Sequence, residues 1–330
     1  MKRKDIIFIL ILVAVIALAA YKYYTRIYTD YRTEFLLDTV IEISVSSKNK
    51  DMGDVLHETF ELIKKYENKF SYHNPESELN KINNSKESNI DVDFYRILRT
   101  NEDLFALSDS LYDITVGTLT DIWDFDEEII PTLEDIREAK KFTGFEKITF
   151  TNHKLQKPAG VKLNPGSLSK GFIVDRVIEF LKSKEIISGM VNAGGDISFF
   201  GQPKPLKIGI QHPRDKRNEV IKVIKVQHGA VVSSGDYERF FIHDEKRYHH
   251  IINPKTGYPS EEAISITVIS DKAFTSDAYS TALFLLTPQK AIQIANETEN
   301  LEALIYYEED DEIKSIQSAG FGKYETETSN

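Results

Sequence analysis

Four short segments of this chain combine residue types and spacings that can do chemistry. In Thr275-Ser276-Asp277-Ala278-Tyr279-Ser280-Thr281-Ala282, Asp277 and Thr281 stand four positions apart. On a helix that spacing puts both on one face. A carboxylate beside a hydroxyl suits a hard cation such as Mg²⁺, completed by carbonyls, water and substrate phosphate. A helix cap and a mid-helix threonine bonded to the preceding turn would read the same way. The adjacent His249 and His250 run into the turn Asn253-Pro254-Lys255-Thr256-Gly257. Strand alternation sends the two rings to opposite faces, so one of them can serve a cleft as a base. Leu163-Asn164-Pro165-Gly166-Ser167-Leu168-Ser169-Lys170-Gly171 opens a helix with a Gly- and Ser-rich turn. Free N–H groups there attract phosphate, and Lys170 adds positive charge, although many ordinary helices also begin this way. Asn192-Ala193-Gly194-Gly195-Asp196 places paired glycines at a strand end. It reads either as a plain turn or as a close backbone approach to a ligand.

Each segment alone is a modest signal; their order is the specific one. Together with Leu37-Asp38-Thr39, Phe70 to Asn80, Tyr112-Asp113-Ile114-Thr115-Val116-Gly117, Ser234-Gly235-Asp236-Tyr237 and His250-Ile251-Ile252-Asn253-Pro254, they resemble the ApbE family, the FAD:protein FMN transferases. The likeness runs from about Thr33 to at least Leu286. It implies that FAD lies in a cleft between two lobes with Mg²⁺ beside its pyrophosphate. Asp277 and Thr281 would then be side-chain metal ligands, with backbone oxygens of Ser167 and Ser280 completing the set. Tyr72, Thr115, Val116 and Gly117 would contact the flavin. Asn164 and Lys170 would hold the adenosine diphosphate part, Leu37 and Ile252 would touch FAD through apolar or backbone atoms, and His250 would be the catalytic residue. The implied reaction moves FMN from FAD to a Ser or Thr hydroxyl, forms a phosphoester and releases AMP. Asn164 stands where the family commonly has Asp, and Asn253 where the turn usually reads Asp-Pro; neither is an expected metal ligand.

The elements that must position these residues point to an α+β fold. It is expected as two closely joined lobes of mixed or antiparallel sheet with helices, after one N-terminal membrane helix. Apolar periodicity predicts helices over 54–69, 93–108, 168–184, 273–286 and 288–297, and a shorter one after Thr132. Strands are expected over 33–46, 147–151, 186–192, 206–211, 220–226, 230–233, 238–243, 247–252, 264–270, 301–307 and 312–317, with a polar loop over 71–88. Hairpins beside helices argue against a doubly wound parallel sheet.

Composition narrows the function. The 330 residues carry a formal net charge of −11 and no cysteine. Without a basic stripe, nucleic acid is set aside as a partner. Without cysteine there is no disulfide framework, thiolate site or lipid-bearing cysteine. Lys2, Arg3 and Lys4 precede an uncharged run from Ile6 to Ala20, so residues 1–28 read as a membrane anchor or a cleaved signal peptide. Residues 29–330 then form the flavin-transferase domain, outside the cytoplasm at the cell membrane or, after cleavage, secreted. The partner that the resemblance implies is an exported or membrane electron-transfer protein that accepts flavin. Two other functions use the same residues: an FAD pyrophosphatase, with water replacing the hydroxyl, and a non-catalytic surface flavin-binding protein.

Overall fold

The uncharged N-terminal run forms helix α1 (Arg3–Tyr24) in the computed structural model, which describes residues 3–214 and 219–326. With 22 residues and a hydropathy of 2.5, α1 is long and apolar enough to cross a membrane, as a signal sequence also is. None of its residues is buried against the rest of the chain.

The expected strand over 33–46 is instead a hairpin of β1 (Tyr28–Leu36) and β2 (Thr39–Ser47). Leu37 and Asp38 turn the chain at φ of 55° and 57°. A two-residue turn needs such a pair of positive φ values and is usually signalled by Asn-Gly or Asp-Gly. Leu-Asp carries no such signal, so cross-strand pairing from Tyr28–Ser47 to Leu36–Thr39 decides the turn.

Helix α2 (Gly53–Phe70) buries Leu56, Phe60, Ile63 and Phe70. The polar segment expected as loop over 71–88 contains α3 (Glu78–Asn83), capped by Ser77 and too short to show a period. It also holds the start of β3 (Glu87–Asn89). Then follow α4 (Val92–Leu107), α5 (Gly117–Thr120), α6 (Leu133–Lys140), β4 (Thr149–Phe150) and β5 (Lys154–Gln156). Thr132 and Asp135 form the capping box that starts α6.

Helix α7 (Gly166–Ser183) leads into the hairpin β6 (Ser188–Ala193) and β7 (Asp196–Phe200), whose turn is Gly194-Gly195. The strand over 196–200 went unpredicted. The chain continues through β8 (Leu206–Gln211), β9 (Val220–Val226), β10 (Gly229–Gly235), β11 (Phe240–His243), β12 (Lys246–His249) and β13 (Ser265–Ser270). It closes with α8 (Ala273–Phe284), α9 (Pro288–Glu297), β14 (Leu301–Glu309) and β15 (Glu312–Gln317).

Eight strands form one antiparallel sheet in the order β1-β2-β6-β7-β10-β13-β14-β15. Its two faces have different covers, which explains why the central strands are apolar on both sides. Ile41, Ile43, Val45, Val191, Ile266 and Val268 face the helices in one core with Phe60, Phe94 and Phe172. Phe199, Val231, Ile269 and Leu304 face the β8–β9 hairpin. A third, smaller core around Leu119, Trp123, Ile136, Phe241 and Ile252 joins the α5–α6 segment to the β11–β12 hairpin. The fold is thus the α+β arrangement of antiparallel sheet and helices expected from the hairpin pattern.

Candidate active site

Helices α7 and α8 meet where the predicted metal ligands lie. Asp175 of α7 accepts hydrogen bonds from the N–H groups of Ala273 (2.9 Å) and Phe274 (3.2 Å), tying the start of α8 to α7. The backbones then approach at Gly171. A β-carbon there would stand 2.5 Å from the Ala273 oxygen and 2.6 Å from the Asp277 β-carbon. The Gly171 N–H donates to Asp277 Oδ2 at 2.7 Å, which aims the carboxylate at the first turns of α7. Gly171→Ala is therefore expected to force the helices apart and destabilise the chain by about 1–3 kcal/mol, the usual cost of overpacking. An unchanged midpoint in urea denaturation would contradict this close contact.

Around Asp277 the other members of the set are held by hydroxyls. Ser280 Oγ donates to the Asp277 carbonyl (2.9 Å) and lies 2.8 Å from Ser234 Oγ, which is 3.5 Å from Thr281 Oγ1. Tyr112 lies 2.7 Å from Ser167 Oγ and 3.4 Å from the Ser167 carbonyl through its own hydroxyl. Ser167, Asp277, Ser280 and Thr281 are thereby gathered at one junction, with Tyr112 and Ser234 as supports. Their signals stood in the quoted motifs, but only the fold shows what they hold.

Lys170, from the first turn of α7, makes a 2.5 Å ion pair with Asp196 at the end of the Gly-Gly turn. Burial alone would lower the Lys170 pKa; the nearby carboxylates of Asp196, Asp277 and Glu238 overcome that and raise it. Burial also raises the pKa of Asp277, and Lys170 opposes the rise. Lys170 thus stands near three carboxylates, of which Asp277 and Glu238 are pushed up to about 7 by burial, and a cation beside them would favour their ionised forms. Among the described residues no three His, Cys, Asp or Glu side chains form a metal-binding group. A cation here would be held by one carboxylate with hydroxyl and carbonyl oxygens, a hard donor set of the kind Mg²⁺ takes.

The two histidines differ in their partners, although the strand alternation expected to separate them does not reach His250. The strand expected over 247–252 ends at His249. His249 is buried, with Nε2 2.7 Å from the Ser260 carbonyl and its ring 5.6 Å from that of Phe284. His250 lies just past the strand, where its N–H donates to the Arg239 carbonyl at 3.1 Å. Its Nδ1 is buried without a hydrogen-bond partner. Burial, reinforced by the neighbouring His249 and the Lys170 charge, pushes its pKa down to about 4. At neutral pH the imidazole is uncharged and able to take a proton.

The positions expected to contact flavin and nucleotide lie along adjoining segments. The Tyr72 hydroxyl donates to the Gly117 carbonyl (3.0 Å) and lies 2.7 Å from Asp121 Oδ1. Gly117 packs so tightly that a β-carbon would come within 2.9 Å of that hydroxyl. Thr115 is fully buried, with Oγ1 bonded to Asp113 (2.6 Å) and to the Gly144 N–H (2.7 Å). That hydroxyl shapes the loop, and the half-buried Val116 that follows packs against the third core. Asn164 is anchored by its N–H to the Ile114 carbonyl (2.7 Å) and by Nδ2 to Thr120 (3.2 Å). Ile252 sits in the third core, and Leu37 lies in the β1–β2 turn with its N–H on Glu67 Oε1 at 2.6 Å.

The model of the ApbE family matches residues 37–305. The chain is 32% identical over 319 residues to the FAD:protein FMN transferase of Haemophilus influenzae, covering 91% of this chain and 89% of that protein. It is 29% identical over 266 residues to that of Klebsiella pneumoniae, covering 78% and 83%. Its fold superposes with a TM-score of 0.80 on the crystal structure of the ApbE protein of Thermotoga maritima, at 32% identity over 91% of this chain and all of that one. The flavin transferase ApbE of Vibrio cholerae shares the fold at a TM-score of 0.80 and 24% identity, over 91% of this chain and all of that one.

Proposed function

This chain belongs to the ApbE family and is a flavin transferase; from that premise we propose that it moves FMN from FAD, with Mg²⁺, to a Ser or Thr hydroxyl of an exported or membrane redox protein. The observation that carries this reading is the junction of α7 and α8. It brings Asp277, Thr281 and Ser167 together beside Lys170, with His250 Nδ1 left unpartnered and uncharged.

Asp277 and Thr281, with the Ser167 and Ser280 carbonyls, would hold Mg²⁺, which supplies charge neutralisation at a pyrophosphate. His250 takes the proton of the acceptor hydroxyl. The oxygen then forms a bond to the FMN phosphorus, and the bond from that phosphorus to the bridging oxygen breaks. AMP leaves with the electron pair, its growing charge met by the Lys170 ammonium. Tyr72 and the Thr115–Gly117 segment would hold the flavin, Asn164 the nucleotide, and Leu37 and Ile252 would touch FAD through apolar or backbone atoms.

The anchored topology belongs to the same reading. The basic residues Lys2, Arg3 and Lys4 ahead of the apolar run hold the N-terminus in the cytoplasm and leave residues 29–330 outside. Incubation with FAD, Mg²⁺ and a candidate acceptor tests the activity. The acceptor's mass is expected to rise by that of the attached FMN, with AMP released in equal amount. AMP and free FMN with an unmodified acceptor would identify a pyrophosphatase instead.

A further inference from the structure

Strand β1 mixes polarity on both faces: Tyr28 and Leu36 pack inward against the main core beside charged neighbours. Its charged residues Asp30, Arg32 and Glu34 alternate inward, and Thr29, Tyr31, Thr33 and Phe35 point out. Arg32 pairs with Glu34 at 2.5 Å, Lys64 of α2 reaches Glu34 at 3.1 Å, and the Arg32 guanidinium lies 5.3 Å over the Phe60 ring. On the outer side Tyr31 is 72% exposed, Phe35 71% and, opposite Phe35 on β2, Val40 53%. The β8–β9 hairpin covers the same side of the sheet further along, but no residue of β1 or β2 belongs to that core. Inward charges are a common guard on an edge strand; what calls for a cover is the outer cluster of Tyr31, Phe35 and Val40, which no part of the described chain packs against.

We propose that this outer face of the β1–β2 hairpin rests on the bilayer beside α1, with Tyr31, Phe35 and Val40 in the interfacial layer. The proposal rests on the reading of α1 as a retained anchor. Chain continuity identifies the occupant. Helix α1 spans about 33 Å at 1.5 Å per residue, which matches a hydrocarbon core of about 30 Å. Three residues, Thr25, Arg26 and Ile27, separate it from β1. They reach at most about 11 Å, so β1 begins in or beside the headgroup layer. Tyr21, Tyr23, Tyr24 and Ile27 are exposed at this junction, and Tyr31 and Phe35 extend the same aromatic series. Aromatic side chains gather at that depth. The hairpin tip lies next to the Asn192–Asp196 turn, because the Gly194 N–H donates to the Val40 carbonyl at 3.1 Å. The Asn192–Asp196 turn, which carries the Asp196 partner of Lys170, would therefore lie near the lipid surface, where the hydroxyl of a membrane-embedded acceptor would be presented.

The absence of cysteine permits single reporters in the full chain. Tyr31→Cys, Phe35→Cys and Val40→Cys are labelled with a nitroxide, with Leu12→Cys in α1 and Ile313→Cys on the far edge strand as references. The protein is placed in nanodiscs of phosphatidylcholine and phosphatidylglycerol. Relaxation by oxygen, which concentrates in lipid, is compared with relaxation by a water-soluble nickel chelate. Labels at 31, 35 and 40 are expected to shift severalfold from the 313 value toward the Leu12 value. Labels at these sites that match 313 while Leu12 reads as lipid overturn the docked face and leave the anchor intact. A water-exposed Leu12 label overturns the anchor reading, and this proposal with it. Shielding from both agents already in detergent shows contact between copies and also overturns it.

Discussion

Asp277→Ala is expected to cut FMN transfer by on the order of a thousandfold or more, a loss of several kcal/mol of transition-state stabilisation. The carboxylate is the one fully ionisable group in the proposed cation shell. It is buried and held by the Gly171 N–H at 2.7 Å. Alanine removes the charge but also leaves that N–H without its acceptor, costing about 1–3 kcal/mol of stability. Asp277→Asn separates the two effects, because its amide oxygen can still accept from Gly171. The asparagine variant should unfold near the wild-type midpoint, yet show a large loss of Mg²⁺ affinity in calorimetry and of transfer in a single-turnover assay. Wild-type transfer in the presence of a chelator, or undiminished Mg²⁺ binding by the asparagine variant, would remove Asp277 from the metal site.

His250→Ala should lower transfer by roughly two to four orders of magnitude, the scale for loss of a positioned general base. FAD binding should stay close to normal. The structure adds two expectations. Because the imidazole pKa is pushed down to about 4, the part of the rate that depends on His250, read as wild type over His250→Ala, should persist below the usual histidine pKa of 6.5 and fall as pH approaches 4. Asp277, raised to about 7 by burial, sets a separate loss of metal binding that begins at higher pH on acidification. The sign follows from the role: the neutral form is the base, and acid removes it. His249→Ala should act on stability, since its ring bonds to Ser260 and packs against Phe284 inside the protein. Single-turnover rates across pH, with flavin-binding titrations and melting curves for both variants, provide the test. A wild-type rate in His250→Ala, or a dead but well-folded His249→Ala, would place the base elsewhere.

Much of the fold was legible in the sequence because its signals are local. The periodic apolar residues of α2 and α7, the Thr132–Asp135 capping box and the spacing of short strands need no knowledge of partners. Strand β7 was missed although Gly194-Gly195 marks its start; other misses occurred where the chain lacks its usual punctuation. Leu37-Asp38 turns without a glycine, α3 is a single capped stretch inside a polar segment, and His250 falls one residue beyond its strand. Pairing across β1–β2 and the Ser77 cap settle the first two.

The sequence by itself singled out the residues proposed to carry the chemistry: Asp277 and Thr281 four apart, Lys170 in a helix start, His250 before its turn. It also determined the family, because segments spread over the chain keep one order. Only the tertiary structure decided what those residues face. Lys170 meets Asp196 across a hairpin turn, Gly171 lets α8 bring Asp277 to α7, and Tyr112 reaches Ser167 from 55 positions away. It alone also shows that β1 leaves Tyr31 and Phe35 uncovered on its outer face. The physical reason is range. Propensity and periodicity act over a few residues, whereas close approach, ion pairing and desolvation depend on which surfaces the sheet and helices bring into contact.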